Sequence, residues 1–114
     1  MLTIDKLQEF GADTEKGLNI CMGNEGFYLK LVNMAIVDDG FSRLENAFDN
    51  KDLDAAFEAA HSLKGVLGNL SLTPLYNPVA EMTELLRRKE DADYEQYLSV
   101  IRAKHAELSA LAAS

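Results

Sequence analysis

The stretch that decides the fold is residues 53–70, which read LDAAFEAAHSLKGVLGNL. At about 100° per residue, its apolar side chains fall on one face of a helix, as in helices that pack against a core. The members of this face are Ala56, Ala60, Leu63, Leu67 and Leu70. The stretch therefore predicts a helix from about Leu53 to Leu70, with Asp52 as its N-terminal cap.

His61 lies nearly opposite the apolar face of this helix, so its side chain is predicted to point to solvent. Gly65 and Gly68 fall within about 40° of His61 on the same wheel. A glycine inside a helix costs about 1 kcal/mol relative to alanine, and these two lie away from the core face. We interpret them as clearing the surface beside the imidazole, so that the backbone of another protein can approach it.

The residue types around His61 favour phosphoryl transfer. A neutral imidazole nitrogen is nucleophilic, and its attack on a phosphoryl group gives a phosphoimidazole that can pass the group on. Lys64, one turn along, can place its ammonium against the phosphoryl oxygens. Phe57, one turn before, can supply an apolar docking contact. From this pattern alone, His61 can also be an ordinary solvated side chain.

The remainder of the chain is also predicted to be helical, because no segment shows the alternation of a strand. A first short helix is expected from a cap at Thr3 to Gly11, and a second over about residues 14–22. A long helix is expected from Asn24, with an interruption or kink at Gly40. Its apolar stripe comprises Phe27, Leu31, Met34, Val37, Phe41, Leu44 and Phe48.

Two further helices complete the pattern. The first has two alternative starts, at residues 73–74 and 77–78, because each pair places a proline in a first helical turn; it ends near Lys89. The last begins near Asp91 or Asp93. Four substantial helices with one apolar stripe each predict an all-α fold, an antiparallel four-helix bundle with one or two short N-terminal helices.

Length and composition limit the function. A chain of 114 residues is expected to be one domain, residues 1–114. Its net charge of −8 argues against nucleic acid and anionic membrane surfaces as partners. Cys21 is the single cysteine, and there is neither a membrane-spanning apolar run nor a signal-peptide pattern. We therefore expect a cytoplasmic protein, and a monomer because the outer faces of the bundle are polar.

The run AHSLKG at residues 60–65, continued by Asn-Leu at 69–70, resembles the signature of histidine-containing phosphotransfer (HPt) domains. That signature is His-x-Leu-Lys-Gly, followed by small residues and Asn-Leu-Gly. The resemblance extends upstream to Gly-Asn-Glu at 23–25, which opens the long helix, and to the acidic turn at Asp52. It covers about residues 15–108.

The resemblance implies that His61 is the phosphoacceptor, that Lys64 steadies the phosphoryl group and that Gly65 leaves room for it. It implies a phosphocarrier of a two-component phosphorelay rather than an enzyme. The implied partners are receiver domains of response regulators, whose aspartates exchange the phosphoryl group with the histidine, with a hybrid histidine kinase as a further candidate. No cofactor or metal is expected on this chain, and any Mg²⁺ would belong to the receiver.

Three positions depart from the family pattern. Val66 and Leu67 stand where small residues are common, and Ser71 stands where glycine is usual. Because Leu67 lies on the core face, we interpret it as a packing variation. Ser71 puts the tightness of the following turn in question.

A different class of function is a degenerate HPt-like interaction module. Such a module would dock on a receiver or kinase through Phe57, Gly65 and Gly68 without transferring phosphate. The presence of both His61 and Lys64 favours transfer over docking alone.

The other candidate groups are interpreted as structural. His105 lies in the apolar register of the last helix and is predicted to be a core-edge histidine, and a metal site with His61 would need two further ligands. Five acidic residues near the junction of the last two predicted helices are interpreted as solvated faces and caps rather than a catalytic acid pair: Glu81, Glu84, Glu90, Asp91 and Asp93. The absence of a Gly-rich phosphate loop or nucleotide-binding βαβ pattern argues against autonomous phosphorylation from ATP.

Overall fold

The computed structural model describes all 114 residues, which form seven helices and no strand. The predicted all-α fold with short N-terminal helices is confirmed. In chain order the helices are α1 (Ile4–Phe10), α2 (Thr14–Ile20), α3 (Glu25–Ile36), α4 (Gly40–Asp49), α5 (Leu53–Asn69), α6 (Thr73–Arg87) and α7 (Tyr94–Ala113).

Helix starts follow the local chemistry of the sequence. The Thr3 side chain accepts a hydrogen bond from the Lys6 backbone N–H, and Asp52 accepts one from Ala55, as expected of N-terminal caps. Of the two alternative starts of α6, the earlier one is observed, at Thr73, so Pro78 lies inside the helix. The cap position of α7 is Asp93.

The helix predicted from Asn24 begins there, with Asn24 as its cap, but the interruption predicted at Gly40 is a complete break, because residues 37–39 separate α3 from α4. The carboxylate of Asp38 accepts a hydrogen bond from the backbone N–H of Gly40 at 2.7 Å, a local bond that competes with helical pairing. Gly40 begins α4 against α5, where a Cβ would lie 2.8 Å from the Leu63 side chain.

The predicted apolar stripe is wrong over α3. Phe27, Met34 and Val37 are 48%, 57% and 79% exposed. The face that α3 buries instead carries Tyr28, Val32 and Ala35. Since the helix is interrupted, the phase of the α4 stripe does not continue into α3.

The position of α5 explains why His61 is exposed. The five residues of its predicted apolar face are all buried, and α5 packs against α4 and α6. Helix α7 packs against α6, and α1 and α3 each contact α7. One face of α5 is therefore covered by the core, whereas the opposite face carries His61.

The turn after α5 is tight even though Ser71 replaces the glycine expected there. Ser71 adopts a left-handed φ of 56°, and its N–H donates to the Gly68 carbonyl. The Leu72 N–H donates to the Leu67 carbonyl, and the two bonds together form a Schellman motif. The Ser71 hydroxyl is buried and has no hydrogen-bond partner.

We predict that Ser71→Gly raises the free energy of unfolding by about 1–2 kcal/mol. Relief of the left-handed backbone contributes about 1–2 kcal/mol, which the extra chain entropy of glycine partly offsets. Loss of the unpaired buried hydroxyl contributes further. Lys51 is a matched control, because it has a φ of 55° but is exposed. In urea denaturation, Lys51→Gly should raise the free energy of unfolding by less than Ser71→Gly does. Equal increases would mean that the Ser71 hydroxyl has a hydrogen-bond partner in solution.

Tyr28 joins α3 to the end of α5. It is fully buried, and its hydroxyl donates to the Leu70 carbonyl at 2.7 Å. Its ring fills the space beside Gly17, where a Cβ would lie 2.5 Å from ring atoms. Burial, together with the nearby Cys21 and Asp13, raises the pKa of Tyr28 to about 12.

We predict that Tyr28→Phe lowers the free energy of unfolding by about 1–2 kcal/mol at neutral pH, because the Leu70 carbonyl loses its donor. The pKa of about 12 in the folded protein exceeds the usual tyrosine value of about 10 in the unfolded chain. This contribution is thus full below about pH 10 and is lost as the pH rises toward 12. Between pH 7 and pH 11, urea denaturation should show a smaller fall in the free energy of unfolding for Tyr28→Phe than for the wild type. An equal fall would contradict the raised pKa of Tyr28.

Candidate functional site

His61 lies in the middle of α5 and is exposed. Its neighbours on the buried side, Ala60 and Leu63, are almost wholly inaccessible to solvent. They hold the backbone of this turn against the core, so the imidazole projects from a fixed element. Reactive groups on rigid elements keep their geometry better than groups on loops.

Phe57 orients the imidazole of His61. The two rings are stacked, with centroids 5.6 Å apart and planes 13° from parallel. The Arg87 guanidinium carbon lies 5.2 Å from the centroid of the Phe57 ring, within the range of a cation–π contact. Phe57 therefore contacts the imidazole and a cation from α6, and its half-buried ring limits how far the imidazole can rotate.

Lys64 forms an ion pair across the groove between α5 and α6. Its Nζ lies 3.7 Å from Oε1 of Glu84, and Nε of Arg87 lies 3.5 Å from the same oxygen. The Lys64 side chain is only 29% exposed. Both cations next to the Phe57–His61 stack are therefore bound to one carboxylate.

Glu84 and Arg87 are the neighbours that the sequence did not indicate. Glu84 was interpreted as part of a solvated face, and it is exposed, but its carboxylate also lies between Lys64 and Arg87. The three-residue spacing of Glu84 and Arg87 suits an ion pair on one helix, but no spacing along the sequence indicates the pairing of Glu84 with Lys64. The pairing depends on the register of α6 against α5, which only the packed structure defines.

The two glycines near His61 differ in their surroundings. A Cβ at Gly65 would meet no atom within 4 Å, so the surface there is open, as the sequence predicted. A Cβ at Gly68 would lie 3.1 Å from a ring carbon of Tyr76 on α6. The interpretation of Gly68 as a position that clears the surface is therefore wrong: its lack of a side chain allows close packing of α5 on α6.

His105 lies at the edge of the core, as predicted. Its ring stacks on Phe41 at a centroid distance of 3.8 Å, and its Nε2 lies 2.7 Å from the Ile36 carbonyl oxygen. No group of three or more His, Cys, Asp or Glu side chains in the structure is arranged to hold a metal ion.

A family model described as Hpt domain matches residues 37–113, which is more than half of the chain. The chain belongs to the Hpt domain family. Hpt domains are phosphocarriers that perform histidine phosphotransfer in phosphorelays, and their partners are receiver domains. The match begins between α3 and α4, later than the range of about 15–108 expected from the motif, and it includes all of α5.

No curated protein and no solved structure matches the chain. None of its helices has both the length and the apolar character needed to cross a bilayer.

We predict that Gly65→Ala raises the free energy of unfolding by about 0.5–1 kcal/mol, since alanine is the better helix former and its Cβ meets no atom here. Gly68→Ala is the matched control on the same helix. The Cβ added by Gly68→Ala must displace the Tyr76 ring, so this variant should have a smaller increase, or a decrease, in the free energy of unfolding. Urea denaturation of both variants measures the difference, and a destabilised Gly65→Ala would show that the space beside His61 is not open.

Proposed function

We propose that this Hpt domain carries a phosphoryl group on His61 and exchanges it with aspartates of receiver domains in a two-component phosphorelay. The observation that supports the proposal most directly is the exposure of His61 on the outer face of α5, one turn from Lys64 and beside the open surface at Gly65. We place the whole activity in residues 1–114, acting as one cytoplasmic monomeric domain.

In the proposed reaction, a neutral ring nitrogen of His61 attacks the phosphorus of a receiver's aspartyl phosphate. The nitrogen–phosphorus bond forms as the phosphorus–oxygen bond breaks, and the aspartate carboxylate leaves with the bonding electron pair. The reverse step returns the phosphoryl group to an aspartate. The stack of Phe57 on the imidazole (centroids 5.6 Å apart) limits the orientations that the attacking nitrogen can adopt, which favours in-line attack.

Docking would use the outer face of α5. Gly65 presents open surface where the partner's backbone can approach, and the half-buried Phe57 offers an apolar contact one turn before His61. Gly68 is left out of this docking surface, because the Tyr76 ring lies against it. No cofactor is proposed for this chain; a Mg²⁺ ion would be bound by the receiver, and a hybrid histidine kinase is a further candidate partner.

The test uses phosphoramidate, a small donor that phosphorylates histidine without a partner protein. We predict that the wild-type protein gains the mass of one phosphoryl group, that the modification is acid-labile, and that His61→Gln abolishes it. Intact-protein mass spectrometry measures the gain, and circular dichroism should show unchanged helix content in the variant.

The other histidine supplies the control. His105→Gln should still be labelled, because its ring lies against Phe41 and the Ile36 carbonyl at the core edge. If the His61→Gln variant were still labelled, the phosphoryl acceptor would be a residue other than His61. A folded wild-type protein that gains no phosphoryl group would contradict the proposal and favour a module that docks without transfer.

A further inference from the structure

The cations next to His61 are not free in the dephosphorylated protein. Lys64 and Arg87 both contact Oε1 of Glu84, at 3.7 Å and 3.5 Å. Together, these three side chains carry one net positive charge. A phosphoryl group arriving at His61 would therefore meet a carboxylate as well as two cations.

The two cations are held differently. Arg87 has a second contact, with the ring of Phe57 at 5.2 Å. Both cations lie farther from Oε1 than the distance of about 2.7–2.9 Å of a charge-assisted hydrogen bond, but Lys64 has its ion pair with Glu84 alone. Lys64 therefore has the weaker attachment, and it lies three residues after His61, on the neighbouring turn of the same helix.

A phosphoryl group on the imidazole offers Lys64 a stronger partner. It carries more negative charge than one carboxylate and presents three acceptor oxygens. The flexible four-carbon stem of lysine allows its ammonium to move between two acceptors. Arg87 can remain on Glu84 and Phe57, so the Glu84 carboxylate is not left without a cation when Lys64 leaves.

We propose that Glu84 is a positioning residue that engages Lys64 until a phosphoryl group arrives at His61, and that Lys64 then transfers its ion pair from Glu84 to the phosphoryl oxygens. This inference rests on the proposed function of His61. Glu84 makes phosphorylation less favourable by competing for Lys64, and it receives Lys64 back when the phosphoryl group leaves.

The test measures the rate constant of labelling by phosphoramidate at low ionic strength for Glu84→Gln. Since an ion pair exposed to this degree contributes roughly the free energy of a two- to fivefold change in rate, we expect labelling to be two- to fivefold faster than in the wild type. Glu81→Gln is the matched control, because Glu81 is exposed on the same helix and loses the same charge. Its rate should stay close to the wild-type rate.

A double-mutant cycle separates the proposed role from a general effect of charge. In a Lys64→Gln background, Glu84→Gln should change the labelling rate no more than Glu81→Gln does. A rate increase that persists without Lys64 would overturn the proposal, as would equal rates for Glu84→Gln and Glu81→Gln. In both cases labelling of the wild type would leave the function of His61 standing. A wild-type protein that is not labelled would overturn both the function and this inference.

Discussion

The structure depends on the close packing of α5 between α4 and α6. The residues of α5 that face its neighbours are small where the helices approach, with Ala56, Ala59 and Ala60 all buried. From the other side, Gly40 allows α4 to begin directly against Leu63. Tight packing of this kind tolerates little displacement. It fixes the rotation of α5 about its own axis, and that rotation keeps His61 on the outer face.

The site itself is shared between two helices. α5 supplies the stacked pair Phe57 and His61 together with Lys64, whereas α6 supplies Glu84 and Arg87. A shift of one turn between these helices would leave the imidazole exposed but separate Lys64 from Glu84. The exposure of His61 therefore depends on the packing of α5, and its electrostatic surroundings depend on the register of α6 against α5.

The sequence predicted α5 well because several local signals agree there: the Asp52 cap, the apolar face and the exposed His61. It failed where tertiary contacts override local pattern. At the division of α3 from α4, the backbone N–H of Gly40 donates a hydrogen bond to the side chain of Asp38, and the Cβ-free Gly40 packs against Leu63 of α5. The role of Gly68 depends on Tyr76, a residue on another helix. The family motif indicated Lys64 as a site residue. Its partner Glu84 lies on another helix, so residue spacing within α5 could not indicate it.

The division between α3 and α4 also gives the chain a modular character. The Hpt match begins at residue 37, at this division, and every side chain of the site described above lies beyond it. The segment before it contacts α5 through the hydrogen bond from the Tyr28 hydroxyl to the Leu70 carbonyl, at the C-terminal end of α5, and through buried residues of the common core. Substitutions in the N-terminal helices are therefore expected to act on the stability of the fold, because their buried residues belong to the common core, whereas the side chains of the candidate site all lie in the segment that the family model covers.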